Sequence, residues 1–252
     1  MKTAIVIPAR YASQRLPGKP LLRATGKYLV QHVYERACQA QAGQVLVATD
    51  DPRIVAAVES FGGRVVLTRP DHPSGTDRVA EVARHLDADV ILNLQGDEPL
   101  IEPATLDLLA QLLEQDPDAD MATLAVPIAS AEQWHNPNCV KVVCDAAGRA
   151  LYFSRSPIPF VRDGLPNFAA EPPRFLQHLG LYAYRRAFLL SLAALPPEPL
   201  EQLEKLEQLR VLALGRRIQV GVVRQAGLGV DTREDYEQFV KTYRQIRKRS
   251  AA

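Results

Sequence analysis

Short apolar runs alternate with helical patterns from the first residues of the chain onward. Thr3–Pro8, Gln44–Thr49, Arg64–Leu67, Asp89–Leu94 and Asp120–Val126 are rich in Val, Ile, Leu and Ala and predict strands. Between them, Lys27–Ala42, Asp51–Phe61, Thr76–Leu86 and Thr105–Gln115 carry apolar residues at helical spacing. Asp51-Pro52 is a helix-start signal, and Gly62-Gly63 a stop signal. The strand runs are continuously apolar rather than alternating, so both sheet faces are covered, as in a parallel sheet flanked by helices. Strand–helix alternation at this spacing predicts an α/β, doubly wound, mostly parallel sheet.

After about Ala129 the rhythm changes. Cys139–Cys144 and Ala150–Phe153 predict a hairpin around Asp145–Arg149. Pro157, Pro159, Pro166, Pro172 and Pro173 exclude helix or central strand over the stretch that follows. This stretch is expected to be an ordered excursion that closes over a site or meets another subunit. Leu176–Tyr184 and Ile218–Val223 predict strands, and Arg186–Ala194 and Leu203–Leu214 helices. The last helix, Thr232–Lys248, has Thr232 as N-cap, acids in its first turn and Arg244, Arg247 and Lys248 at its end. The whole, 1–252, is expected to be a single domain, with roughly 130–175 as a smaller β-rich lobe.

Composition narrows the function classes. Thirty basic and 29 acidic residues leave a formal charge of +1, so nothing indicates bulk attraction to nucleic acid or a membrane surface. The opening residues do not read as a signal peptide, and no run approaches a membrane span. Cys38, Cys139 and Cys144 form no metal or disulfide pattern, which suggests a soluble protein of a reducing, cytoplasmic compartment.

Four segments carry candidate chemistry. Pro8–Lys19 links the first strand to the first helix, where open α/β sheets bind ligands, and supplies Arg10, Arg15 and Lys19 among the small residues Ala9, Ala12, Ser13 and Gly18. Cations and approachable backbone N–H groups suit polyphosphate, and a solvated basic loop is the alternative. Asp97, in Gln95-Gly96-Asp97-Glu98-Pro99, ends an apolar strand as a Mg²⁺ carboxylate or a helix-start acid. Asp231 follows Gly227-Leu228-Gly229-Val230 as a second Mg²⁺ carboxylate or a helix cap. Ser74-Gly75-Thr76-Asp77-Arg78 can read a base edge or phosphate, or can simply cap a helix.

These segments, together with Ala48-Thr49-Asp50-Asp51, Tyr152–Pro159, His178-Leu179-Gly180-Leu181-Tyr182 and Leu203–Arg210, resemble the 3-deoxy-manno-octulosonate (Kdo) cytidylyltransferases over nearly the whole chain. The first loop is shared with other sugar nucleotidyltransferases. The segments around Arg155, His178 and Glu207 are the discriminating ones.

The resemblance implies a nucleotide-diphospho-sugar transferase-like fold with a β-rich dimerisation lobe. It implies Mg²⁺-dependent transfer of CMP from CTP to Kdo for lipopolysaccharide biosynthesis, in a homodimer joined through Cys139–Phe160. Pro8, Ala9, Arg10, Ser13, Lys19, Ser74, Gly75, Thr76, Arg78 and Asp97 would then bind the nucleotide. Arg10, Lys19, Asp97 and Asp231 would be catalytic, with Asp97 and Asp231 on the metal. Gln95, Arg155, Arg162, His178, Tyr182, Glu207 and Gln208 would bind the sugar. The alternatives are a cytidylyltransferase for 8-amino-Kdo or sialic acid, and a catalytically silent nucleotide-binding module.

Overall fold

In the computed structural model, which describes residues 1–12, 15–225, 227 and 229–250, the chain divides into two compact units. The first comprises residues 1–107 and 227–252, the second residues 108–226.

The first unit is built on β1 (Thr3–Pro8), β2 (Gln44–Thr49), β3 (Val65–Leu67) and β4 (Val90–Asn93). β1 pairs in parallel with both β2 and β4, and β2 with β3. The inner strands are buried along nearly their whole length, which is why their sequences do not alternate. The connections are α1 (Leu29–Ala37), α2 (Pro52–Ser60) and α3 (Gly75–Ala83). Asp51 caps α2 by accepting the Arg53 N–H, and Ser74 caps α3 by accepting the Asp77 N–H. α4 (Pro103–Gln115) carries the chain from the first unit into the second.

The C-terminal helix, Arg233–Ser250, belongs to the first unit. Thr232 caps it, accepting the Asp235 N–H at 3.2 Å. Its Tyr236, Phe239 and Val240 pack with Leu29 of α1 and with Leu16, which pins the loop after β1 into the core.

The second unit contains β5 (Met121–Pro127), α5 (Ala131–His135), β6 (Lys141–Cys144) and β7 (Ala150–Ser154). β8 (Leu176–Arg185), α6 (Arg186–Leu192), α7 (Pro199–Glu204), α8 (Gln208–Ala213) and β9 (Ile218–Val222) complete it. β5 lies between β8, antiparallel, and β9, parallel. β6 pairs antiparallel with both β7 and β8. Asp145 Oδ1 accepts the N–H groups of Ala147 and Arg149 to close the β6–β7 turn. Trp134, the single tryptophan, packs with Ile128 and Phe175, and its indole N–H donates to the Ile158 carbonyl. That contact ties down the Pro-rich stretch.

One expectation is corrected. Leu203–Leu214 is not one helix, because Lys205 adopts the left-handed conformation (φ 54°) and separates α7 from α8. The three cysteines are free, and among the described residues no helix is long and apolar enough to cross a membrane.

Candidate active site

The first cluster gathers at the carboxyl ends of β1, β2 and β4. Gly18 takes φ 69° at the start of a 3₁₀ turn, Lys19–Leu21, and its N–H donates to the Tyr11 carbonyl. The Arg53 guanidinium lies over the Tyr11 ring, 3.4 Å from its centroid, and Asp51 accepts from its Nε–H and Nη2–H edge. A Cβ on Gly18 would press the same ring at 3.3 Å, so the loop closes tightly. At the end of β4, a Cβ on Gly96 would stand 3.0 Å from the Pro8 carbonyl, so glycine eases the close approach of the two strand ends.

This folding delivers Lys19 between two carboxylates. Its ammonium is 2.7 Å from Asp97 Oδ2 and 3.3 Å from Asp231 Oδ1. Arg15 Nη2 approaches Asp231 Oδ2 at 3.0 Å, an exposed and weak pair. Asp231 is not the helix cap, since Thr232 caps and Asp235 accepts the Asp231 and Thr232 N–H groups. Asp97 likewise spends its side chain on Lys19, while its carbonyl accepts from Val230. Two carboxylates converging on one cation offer the hard oxygen donors that a Mg²⁺ ion takes beside phosphate oxygens. The donor set therefore fits that ion, although no cluster of three His, Cys, Asp or Glu side chains forms a ready cage among the described residues. Mg²⁺ usually keeps waters and substrate oxygens, so two carboxylates suffice.

Glu98 stands beside this pair. Burial raises its carboxyl to about 7, and the charges of Asp97 and Asp231 add to the rise. Its Oε2 has no hydrogen-bond partner among the described residues. A Cβ on Gly227 would lie 2.5 Å from that oxygen, so the glycine makes room for it.

Arg10 donates from Nη2 to the His72 carbonyl at 3.0 Å. The His72 ring is in turn bonded to Glu81. Ser74 uses its hydroxyl on Asp77 as acceptor and donor, so its side chain serves the cap. Thr76 is buried, with Asn93 Nδ2 3.5 Å from its hydroxyl. Arg78 is completely enclosed, at 0% exposure. It pairs with Asp50 at 3.1 Å and donates to Thr68 Oγ1. Burial lowers its guanidinium, with Asp50 opposing. Its Nε–H lacks a hydrogen-bond partner among the described residues. Gln95 precedes Gly96 and accepts the Glu98 N–H on its carbonyl. Ser13 lies outside the described residues.

The second unit holds another polar cluster. Two extra residues, Gly180 and Leu181, bulge β8 against Thr123 and Leu124 of β5. His178 lies on one side of the bulge and Tyr182 on the other. The Thr123 hydroxyl has two carbonyl acceptors for its single proton, Leu181 at 2.8 Å and Leu179 at 3.1 Å. His178 Nε2, 2.9 Å from that hydroxyl, must therefore carry hydrogen and donate. This leaves Nδ1 as acceptor for Gln208 Nε2 at 3.5 Å, while Gln208 Oε1 accepts from the Tyr182 hydroxyl at 3.4 Å. The chain of bonds fixes one tautomer of a neutral imidazole, and burial drives His178 down to about 3. The same burial raises the Tyr182 phenol. Glu207 begins α8 next to Gln208. Arg155 follows β7, with its guanidinium on the carbonyls of Pro137, Glu204 and Lys205. Arg162 is exposed in the Pro-rich stretch.

A cytidylyltransferase family model matches residues 4–218. The 3-deoxy-manno-octulosonate cytidylyltransferase of Syntrophobacter fumaroxidans is 52% identical over 95% of this chain and 96% of its own. That of Rhodopirellula baltica is 53% identical over 95% and 97%. The chain belongs to the Kdo cytidylyltransferase family. A solved structure of a CMP:2-keto-3-deoxy-manno-octonic acid synthetase complexed with CTP is 49% identical, covers 97% of this chain and 99% of its own, and superposes with a TM-score of 0.90. A cytidylyltransferase from Leptospira borgpetersenii, at 20% identity and a TM-score of 0.62, shares the fold.

Within this Kdo cytidylyltransferase, motif reading missed the supporting residues: Asp50 and Thr68 around Arg78, Glu98 beside Asp97, Thr123 beneath His178, and Lys141 and Glu204 around Arg155. Thr123 sits in a plain apolar strand run, and no local pattern marks its hydroxyl.

Proposed function

We infer that this chain transfers CMP from CTP to Kdo, giving CMP-Kdo and pyrophosphate. The observation that carries the reading is Lys19 held between Asp97 and Asp231 at the carboxyl edge of a parallel sheet. In the reaction the oxygen of the sugar's anomeric hydroxyl bonds to the α-phosphorus as its proton leaves to water, and the bond from the α-phosphorus to the oxygen bridging to the β-phosphate breaks, releasing pyrophosphate. Arg10 and Lys19 offset the charge that grows on the α-phosphate and the departing pyrophosphate. Asp97 and Asp231 would hold Mg²⁺, which when bound supplies charge neutralisation and lowers the pKa of the attacking hydroxyl. Lys19, between the two carboxylates, would stand where a phosphate oxygen could accept from its ammonium.

The backbone of Pro8 and Ala9 lies along the nucleotide, with Ser74, Gly75, Thr76 and Arg78 at the cytidine. The fork of Arg155, with Arg162, suits the Kdo carboxylate. Gln95, His178, Tyr182, Glu207 and Gln208 suit its hydroxyls. With both ring nitrogens engaged, His178 would act by orienting Gln208, and through it Tyr182, toward the sugar. Phe160 and Leu151 are large, exposed apolar side chains, which supports a homodimer formed through 139–160. The reading assigns the chain a cytoplasmic role in lipopolysaccharide biosynthesis.

Incubation with Mg²⁺, CTP and a panel of acidic sugars tests the reading through pyrophosphate release. Release with sialic acid or 8-amino-Kdo but none with Kdo would overturn it. Asp97→Asn should abolish turnover while the fold persists, and substantial residual activity would remove Asp97 from the metal.

A further inference from the structure

Arg155 is held from every side within the second unit. Its Nε donates to the Glu204 carbonyl at 2.7 Å, Nη1 to the Pro137 carbonyl at 2.9 Å and Nη2 to the Lys205 carbonyl at 3.4 Å. Its main chain is held as firmly. The Arg155 N–H donates to Glu204 Oε2 at 2.9 Å, and its carbonyl accepts from Lys141 Nζ at 2.6 Å. Glu204 Oε1 takes the Ser154 hydroxyl at 2.6 Å. Lys141 is 0% exposed, and its ammonium also donates to the Asn136 carbonyl at 3.0 Å.

A guanidinium has five N–H groups. Three are engaged here, which leaves one on Nη1 and one on Nη2. Those two neighbours are the pair that a carboxylate accepts side by side. The backbone carbonyls therefore hold the guanidinium in place without consuming it, and one donor on each of Nη1 and Nη2 remains for a carboxylate.

A buried ammonium is costly, and an apolar side chain would fill the Lys141 position more cheaply. The cost is offset where the charge holds two carbonyls in fixed places, and one of them belongs to Arg155. The left-handed turn at Lys205 serves the same end, since it presents the third carbonyl to Nη2.

We infer that Lys141 and Glu204 are positioning residues that aim the Arg155 fork at the carboxylate of the acidic sugar. This rests on the assignment of Arg155 to that carboxylate.

Steady-state kinetics of Lys141→Met, Glu204→Gln and Arg155→Ala, each with Kdo and with its carboxamide analogue, test it. Lys141→Met and Glu204→Gln should each raise the KM for Kdo about tenfold or more, in keeping with the cost of misplacing a binding group by about 1 Å. The KM for CTP should stay within about twofold of the parent value. Against the carboxamide the variants and the parent should be equally poor. Lys141→Met combined with Arg155→Ala should be no worse than Arg155→Ala alone. If Arg155→Ala leaves the KM for Kdo unchanged, the carboxylate assignment fails. If Arg155→Ala raises it but Lys141→Met and Glu204→Gln do not, the assignment stands and the positioning inference is overturned. A rise in both KM values together with a lower melting temperature would mark a merely structural role and overturns it too. Should Lys141→Met fail to fold, Glu204→Gln decides.

Discussion

Arg210 and Glu201 join α7 to α8 by a buried two-pronged pair, and its loss should be readily measured. Arg210 donates from Nε to Glu201 Oε2 at 2.7 Å and from Nη2 to Oε1 at 2.6 Å, with both side chains 10% exposed. Glu201 Oε2 also accepts the Glu198 N–H at 3.1 Å. In Glu201→Ala the guanidinium stays buried with two donors stripped of their acceptor, and the Glu198 N–H loses its partner as well. Removing one partner of a buried pair costs about 3–5 kcal/mol. An unfolding entropy of roughly 2.1 cal/mol/K per residue gives ~0.5 kcal/mol/K for 252 residues, so a loss of ~4 kcal/mol lowers the melting temperature by ~8 °C. The double variant Glu201→Met with Arg210→Met should cost far less, because both desolvation penalties vanish together. Trp134 lies in the same unit and is buried, so its fluorescence reports the transition alongside far-ultraviolet circular dichroism. A shift below about 2 °C for Glu201→Ala, or a double variant as unstable as the single one, would refute the reasoning.

Other expectations follow from the same groups. Thr123→Val deprives His178 Nε2–H of its acceptor, and should cost about 1–3 kcal/mol in urea unfolding and raise the KM for Kdo; an unchanged KM would separate the tautomer from sugar binding. His178 and His32 are held by burial at about 3 and about 4, below the ordinary 6.5. The unfolded chain therefore takes up their protons first, and stability present above pH 6.5 falls as the pH drops toward those values, by up to about 1.4 kcal/mol per pH unit for each. Glu98, raised to about 7, acts oppositely, since its unfolded carboxyl ionises first and stability is lost as pH rises from 4.5 through 7. Two histidines outweigh one glutamate, so the melting temperature should still fall between pH 6.5 and 4.5, and a rise there would contradict the assignment. Glu98→Gln should gain stability at pH 8 relative to pH 4, and equal effects at both would show that its charge is not buried.

The sequence alone determined the α/β alternation, the parallel strands of the first unit and the helix starts at Asp51 and Thr232, because apolar spacing and capping chemistry act over a few residues. It also displayed the cations of the first loop and the strand-end carboxylate Asp97. It left Asp231 open between cap and metal carboxylate. Only the tertiary structure excluded the cap, by giving that role to Thr232 and placing Asp231 with Asp97 on Lys19, 212 and 78 residues away. The break at Lys205 was invisible for the same reason, since a lysine carries no local signal for the left-handed region, and its carbonyl meets Arg155 Nη2 from 50 residues away. The antiparallel pairing of β8 with β5, the bulge beneath His178 and the buried Lys141 likewise depend on partners far along the chain. Local periodicity fixes which face of an element is apolar; which polar groups meet on it is set by long-range packing, and the candidate chemistry of this cytidylyltransferase is assembled there.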